Sequence, residues 1–436
     1  MQFELLELGL MSNGDLALYD KEKGFFKPMD DTKAAALFYA WASVKEKAKP
    51  ASYFNSLVKK AKLEKQNNKL ATVEDRRKQE YLLNVENGVL DLSEKDIKIL
   101  PHYKSYRFTN CLSFKYVPDA EIGMAPVFKM FVDTSLEASS ERIRLLLEIM
   151  GACISNYLHF KKAFFLIGET NSGKTVISDQ IVRIIGEENV STIPMVELFG
   201  KFATSALVGM QLNLDDELEC SIIKGAATFK KLVSMSYMKA ESKGANARSF
   251  HNFAHLLFCG NALPDFGDFD GSNEALFRKL VVLDFPVITA EENIDHKLSE
   301  KLWVERDIIF SLAVKALHRL LQMKVPKFTE CPSFYKIKNT YTESAKALQT
   351  FVEECCETGD DKRIYISDFL ESFKNFCKEN ALDYKGTPNQ IKATVQKING
   401  VEKTKGRMPQ GAAKAMFRGI GLNKEYEKYI LQDSRN

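Results

Sequence analysis

The chain has 436 residues, 45% of them hydrophobic and 27% charged, with a net charge of +3 at neutral pH. That is ordinary globular composition with room for two or three domains, and the small charge excess says nothing about partners. No apolar stretch approaches the roughly 20 residues that span a bilayer, no repeat marks a solenoid, and the eight cysteines form no CxxC pair. A membrane protein, a zinc site and a disulfide framework are therefore not expected.

The N-terminus carries Glu4 and Glu7 and lacks a charged-then-apolar leader pattern, so the expected location is the cytoplasm of a bacterial host or a virus-infected cell. Residues 1–125 read as a mixed α/β region. Its lysine-rich stretch, "VKKAKLEKQNNKLATVEDRRKQE", reads as exposed helix and loop, more a solvated face than a nucleic-acid contact. "LLNVENGVLDL" places two apolar runs around Asn87-Gly88, which predicts a hairpin. From Met130 to Tyr157 apolar residues recur at helical spacing, and 126–158 is expected to be a helical collar or linker.

Between 159 and 325 the pattern changes to short, nearly continuous apolar runs, "AFFLIG", "MQLNLDD", "HLLFCGN" and "KLVVLDFP", separated by helical or polar stretches. Such runs predict a mostly parallel sheet buried on both faces, in an α/β fold. The first run opens into Gly168-Glu169-Thr170-Asn171-Ser172-Gly173-Lys174-Thr175, a complete G-x-x-x-x-G-K-[ST] motif between a credible strand and the helix "VISDQIVRIIG". Glycines let backbone N–H groups close around a polyphosphate, and the helix N-terminus adds partial positive charge. Gly168, Asn171, Ser172, Gly173, Lys174 and Thr175 are the expected ATP-binding residues. Lys174 would neutralise the β- and γ-phosphates, and the Thr175 hydroxyl would hold Mg²⁺.

Hydrolysis also needs acids at a neighbouring strand end. Met210, Leu212 and Leu214 lead to Asp215, Asp216 and Glu217, and three carboxylates there are poor structural material. Asp216 is expected near Mg²⁺, with Asp215 as the alternative, and Glu217 would polarise the attacking water. A third run ends at Gly260-Asn261. Asn261 serves equally as a turn residue or as a sensor of the γ-phosphate, the second being favoured beside two strands that end in such chemistry.

Residues 345–436 are expected to form a closing domain, whose pattern changes after about Asp361 to an amphipathic helix, "ISDFLESFKNFCKEN", with Ser367 or Asp368 near its start. A second helix, "NQIKATVQKI", and a basic, glycine-rich hairpin-like sequence come after it. Residues 362–436 hold 15 Lys and Arg against 8 Asp and Glu, which fits nucleic-acid binding through phosphates.

The three strand ends, in this order, resemble those of superfamily 3 helicases, compact AAA+ ATPases of viruses, phages and plasmids, and most closely the primase-helicase type of poxviruses, phages and satellite elements. "LLNVENGVLDL", Pro101-His102, "YVPDA" and "LLLEIMGACIS" look like that group's N-terminal extension. "FKKLVSMSYMKAESKGANARSFHNFAHLLFCGNALP" looks like its helicase stretch and "SNEALFRKLVVLDFP" like its arginine strand; "VSMSYM" departs from the Gly-Asp common there. The resemblance implies an AAA+ P-loop core, a C-terminal winged-helix domain and an arginine finger, Arg278 with Lys279 beside it, reaching a neighbour's ATP. It also implies a pore hairpin, Lys239 to Arg248, whose Lys239, Lys243 and Arg248 grip single-stranded DNA, with Lys403, Lys405, Arg407, Lys414 and Arg418 on duplex DNA. The activity implied is that of an ATP- and Mg²⁺-dependent DNA helicase, expected to travel 3′→5′ as a homo-oligomer, a hexamer, in replication of a phage, plasmid or mobile element. Ahead of the ATPase core no pair of spaced aspartates set in strands suits polymerase metals, so priming or loading would fall to a separate partner. The alternatives are an ATP-switched origin-binding initiator with little unwinding, a small-molecule P-loop kinase and an AAA+ protein remodeller.

Overall fold

A computed structural model of the protein describes residues 6–11, 14–67, 69–70, 72–157, 159–198, 203–218, 226–234, 237–240, 248–264, 274–331, 334–335, 347–380, 382, 388–396, 398, 400–406 and 414–426. The chain divides into two compact units, one of residues 1–218, 229–262 and 280–331, the other of 219–228, 263–279 and 332–436.

The first unit begins with an antiparallel meander, β1 (Leu8–Met11), β2 (Leu16–Asp20) and β3 (Phe25–Met29). Helices α1 (Asp31–Trp41), α2 (Val44–Lys47) and α3 (Ala51–Glu64) come next. Their starts are set locally: Asp30 accepts from Lys33 N, and Ser43 with Glu46 closes a capping box. Strand β4 (Lys69–Leu70) then pairs parallel to β1 and buries Leu70. The lysine-rich stretch is thus helix and loop with a strand set inside it. Helix α4 (Val73–Lys78) leads to a second sheet, β5 (Leu82–Val85), β6 (Gly88–Asp91) and β7 (Lys98–Leu100). The predicted hairpin forms one residue earlier than its strongest dipeptide suggests. Val85 pairs with Gly88, so Glu86-Asn87 make the turn, and the Asn87 amide is used to clasp both backbone groups of Tyr116, at 3.0 and 2.9 Å.

The helical stretch from Met130 is two helices, α5 (Pro126–Ser135) and α6 (Ser140–Ile154). Glu137 and Ala138 sit at positive φ between them, which no α-helix tolerates. The main sheet is built from the next stretch: β8 (Ala163–Ile167), α7 (Lys174–Ile185), β9 (Val190–Ser191), β10 (Leu212–Leu218), α8 (Ala226–Val233), the antiparallel pair β11 (Tyr237–Ala240) and β12 (Arg248–His251), β13 (His255–Gly260), α9 (Glu274–Phe277) and β14 (Leu280–Asp284). Its five strands run parallel in the order β14-β8-β13-β10-β9. Every residue of β8 and β13 is buried, which is why their sequences lack the alternation of a half-exposed strand. Phe164, Leu166, Leu257 and Leu283 face one core with α6, α7 and helices α10 (Leu298–Val304) and α11 (Arg306–Leu321). On the other face Phe165 stacks on Phe258, ring centroids 4.9 Å apart. Each such side chain contributes about 1.5–3 kcal/mol by leaving water. The fold is mixed α/β with a five-stranded parallel sheet, as the apolar runs predict.

The second unit holds α9 together with helix α12 (347–355), β15 (Cys356–Tyr365), α13 (Ile366–Glu379), α14 (Pro388–Val395), β16 (Glu402–Gly406) and β17 (Lys414–Leu422). The strands form an antiparallel sheet in the order β15-β17-β16. Phe351, Phe369, Phe373, Phe376, Val395 and Phe417 make its core. Gly419 sits at φ +91, and a Cβ there would lie 1.9 Å from the Gly400 carbonyl oxygen, so only glycine fits.

Candidate nucleotide site

Strand β8, which lies between β14 and β13, delivers the loop Gly168–Thr175 onto the N-terminus of α7 at the carboxyl edge of the sheet. Gly173 caps the helix at φ +98, and a Cβ on it would strike the Phe131 ring of α5 at 2.7 Å. A Cβ on Gly168 would lie 2.6 Å from the Phe285 carbonyl oxygen. Both glycines are therefore demanded by close approach, and Asn171 adopts the left-handed conformation at φ 63. Backbone hydrogen bonds hold the loop from three sides. Gly168 N donates to Gly260 O at 3.1 Å, Phe285 N to Ile167 O at 2.7 Å, and Thr289 N to Asn171 O at 3.0 Å.

The Lys174 ammonium donates to Gly168 O at 2.6 Å, Glu169 O at 2.8 Å and Ser172 Oγ at 3.2 Å. Only 8% of the residue is exposed, and this burial pulls its amine below the usual lysine range. An ammonium held in a glycine-built cradle at a helix N-terminus fits a polyphosphate, whose charge would offset the desolvation.

Strand β10 brings the acids, with β13 between it and β8. Its pairing with β13 slips between Asp215 and Leu218, a bulge that turns Asp216 and Glu217 outward while Asp215 stays buried. The three acids thus part company. Asp215 Oδ2 accepts from Met195 N at 2.7 Å, whereas Asp216 and Glu217 are exposed beyond the bulge. Asp216 lies near α7: its charge, after partial desolvation, helps push the Asp179 carboxyl above the ordinary aspartate range. Asp179 stands one helical turn beyond Thr175 on the same face. Thr175, Asp179 and Asp216 supply hard oxygen donors that suit Mg²⁺ beside a triphosphate. On β13 the Cys259 thiol, hydrogen-bonded to Ser178 and within the field of Asp216 and Lys174, is pushed up to about 12 by burial. It is an inert filler beneath the loop.

The raised pKa of Asp179 should register in stability. It means that the protonated form favours the fold, a contribution complete below the unfolded aspartate value near ~3.9 and lost as pH rises through the folded value. Asp179→Asn is therefore expected to melt higher than the parent at neutral pH, the difference vanishing in acid. Thermal denaturation at two pH values checks this, and an unchanged difference at both removes the electrostatic account.

Asn261 is exposed directly after β13, one residue from the Gly260 carbonyl that holds the loop. Arg278 is exposed between α9 and β14 and belongs to the second unit. Lys239 in β11 and Arg248 in β12 lie on antiparallel partners, with Lys239 opposite Ser249 and Ala240 opposite Arg248. Lys243 lies outside the described residues, as does Arg407. Lys403 and Lys405 are exposed on β16. The loop, Asp216, Glu217 and Asn261 thus share the carboxyl edge of one sheet, while the DNA-contact candidates stand apart from it along the chain. Sequence reading misses Asp179, for which the spacing from Thr175 is a usable signal, and the Phe285–Thr289 clasp, for which no local signal exists.

A family model described as "D5 N terminal like" matches residues 16–137, and one described as a family of unknown function, DUF5906, matches residues 166–278. Each covers less than half of the chain. No curated protein matches. An apo structure of the NrS-1 C-terminal region aligns over 95% of this chain and 96% of its own at 12% identity, with a TM-score of 0.45. An A-form apo structure of that region aligns over 76% and 81% at 13% identity, with a TM-score of 0.41. Likeness of this degree carries no functional argument. No described helix is long and apolar enough to cross a membrane.

Proposed function

We propose that the chain is an ATP-dependent DNA helicase of superfamily 3 type, an AAA+ motor acting in replication of a phage, plasmid or mobile element. The observation that carries this reading is the glycine cradle around Lys174 at the end of β8, with the outward acids of β10 on the far side of β13. Gly168, Asn171, Ser172, Gly173 and Lys174 hold the phosphates. Thr175 and Asp216 hold Mg²⁺, which screens the charge on the β- and γ-phosphates. Glu217 orients the attacking water, and Asn261 contacts the γ-phosphate. Arg278 acts on the ATP of a neighbouring protomer, which requires a ring, a hexamer by the family resemblance. The strand pair β11–β12 supports the pore-hairpin reading, and the order α12-β15-α13-α14-β16-β17 supports a winged helix on DNA. Translocation is expected to run 3′→5′. The match of residues 16–137 to the D5-type model supports the replication context.

The test is steady-state ATP hydrolysis with and without single-stranded DNA, alongside unwinding of a forked duplex. Turnover is expected to rise severalfold with the single strand, and the fork to open. Hydrolysis indifferent to DNA, with no unwinding, overturns the motor reading and leaves the initiator or a small-molecule enzyme.

A further inference from the structure

The sheet of the second unit has two unlike faces. Ile364 and Phe417 are paired across β15 and β17 and point into the core. Directly opposed strand residues share a face, and neighbours along a strand alternate. The next pair outward is Arg363 opposite Arg418, both exposed, so two guanidinium groups stand side by side on the sheet's other face. Arg418 lies on the central strand, with Glu402 across from it on β16. No ion pair joins Glu402 to either arginine among the described residues. The next row of that face is Tyr365, Met416 and Thr404, and Met416 is buried although it is not a member of the core cluster. Lys414 completes the patch, its Nζ 5.7 Å from the centre of the Tyr365 ring.

Like charges directly opposite each other on paired strands are destabilising. Glu402 across from Arg418 offsets part of this cost, whereas Arg363, on the edge strand β15, faces only Arg418 across the sheet. Two adjacent guanidinium forks with a lysine two rows further along the same face suit one kind of ligand, a run of phosphates. Helix α14, by contrast, carries a single cation, Lys392, in "PNQIKATV". That helix is thus poorly charged for phosphates, and the sheet is well charged.

We propose that the outer face of the β15–β17–β16 sheet is a phosphate-backbone binding surface for nucleic acid, with Arg363 and Arg418 as its clamp and Lys414 beside them. The proposal rests on the reading of this unit as nucleic-acid-binding, and it moves the main contact from Lys403 and Lys405 of β16 to Arg363 of β15 and Arg418 of β17. The recognising chemistry is the phosphodiester, which single strands and duplexes share, so both are assayed.

The experiment measures binding of the full chain to a single-stranded oligonucleotide and to its duplex across a salt series. The variants are Arg363→Gln with Arg418→Gln, and Lys403→Gln with Lys405→Gln. Inorganic phosphate is added as competitor in a separate arm. The arginine double variant is expected to lose at least about tenfold in affinity at low salt, with the log–log salt slope shallower by about 1.4–1.8 for two lost phosphate contacts. Inorganic phosphate at equal charge concentration should compete weakly, because it lacks the linked array. Arg363→Gln alone is expected to raise the melting temperature of the free protein, whereas an arginine with a structural role would lower it. Unchanged affinity and slope in the arginine variant, with loss in the lysine variant, overturn the arginine clamp and leave Lys403 and Lys405. Full competition by inorganic phosphate overturns the polynucleotide as ligand. A full chain that binds neither oligonucleotide overturns the nucleic-acid reading of the unit itself.

Discussion

Lys174→Ala is expected to lower ATP turnover by at least about 10²–10³-fold, the scale set by removing one preorganised electrostatic contact to a reacting group. The reason lies in the loop's own bonding. The ammonium's three donors go to Gly168 O, Glu169 O and Ser172 Oγ, so it is held inside the loop, and a phosphate engages it by replacing one of these neutral acceptors with a charged one. Removing it also leaves two loop carbonyls without that donor, so nucleotide affinity should fall together with turnover. The fold should survive, because the sheet beneath is closed by Phe165, Phe258 and Leu166 and not by the loop. Steady-state hydrolysis, nucleotide titration and a thermal melt check the three statements. A variant that retains turnover within about threefold (under 1 kcal/mol in barrier) while folded refutes the site.

The second large effect is expected of Arg278→Ala. An arginine supplied to a neighbour's transition state is worth about 10³–10⁵ in rate in related NTPases, whereas nucleotide affinity of the isolated protomer should move little. Arg278→Lys should rescue poorly, since an ammonium cannot present the planar fork. The decisive measurement mixes Arg278→Ala with Lys174→Ala. In mixed rings some interfaces pair an intact loop with an intact arginine, so partial activity returns although each variant alone is dead. Absence of any return, at concentrations where the rings form, places Arg278 outside a shared site.

The loop and the sheet can be read from sequence for the same reason: both are written in contiguous residues. "AFFLI" is buried on both faces and therefore apolar without alternation, and eight consecutive residues carry the phosphate chemistry. The short meander β1–β3 is not legible. Its strands of four and five residues are too brief for periodicity to declare itself. Strand β9, two residues long, exists only because β10 offers it an edge. The separation of Asp215 from Asp216 and Glu217 is also hidden, because a bulge is a property of the pairing with β13 and not of either strand. Arg278 stands on the resemblance: nothing in "EALFRKL" alone distinguishes a finger from a surface arginine.

The junction between the first hundred residues and the parallel sheet has a consequence for how the chain can be divided. The Asn110 amide donates to Gln211 Oε1 at 2.5 Å, and Gln211, whose own amide donates to Ile154 O, stands at the foot of β10. Leu83, Val85, Leu90, Phe114 and Tyr116 belong to the same apolar cluster as Phe164, Phe310 and Leu317. A cut between the two stretches that the family models recognise would not separate a tail from an engine. It would bisect one solid, leaving a wet oil face on each half and a glutamine with nothing to hold.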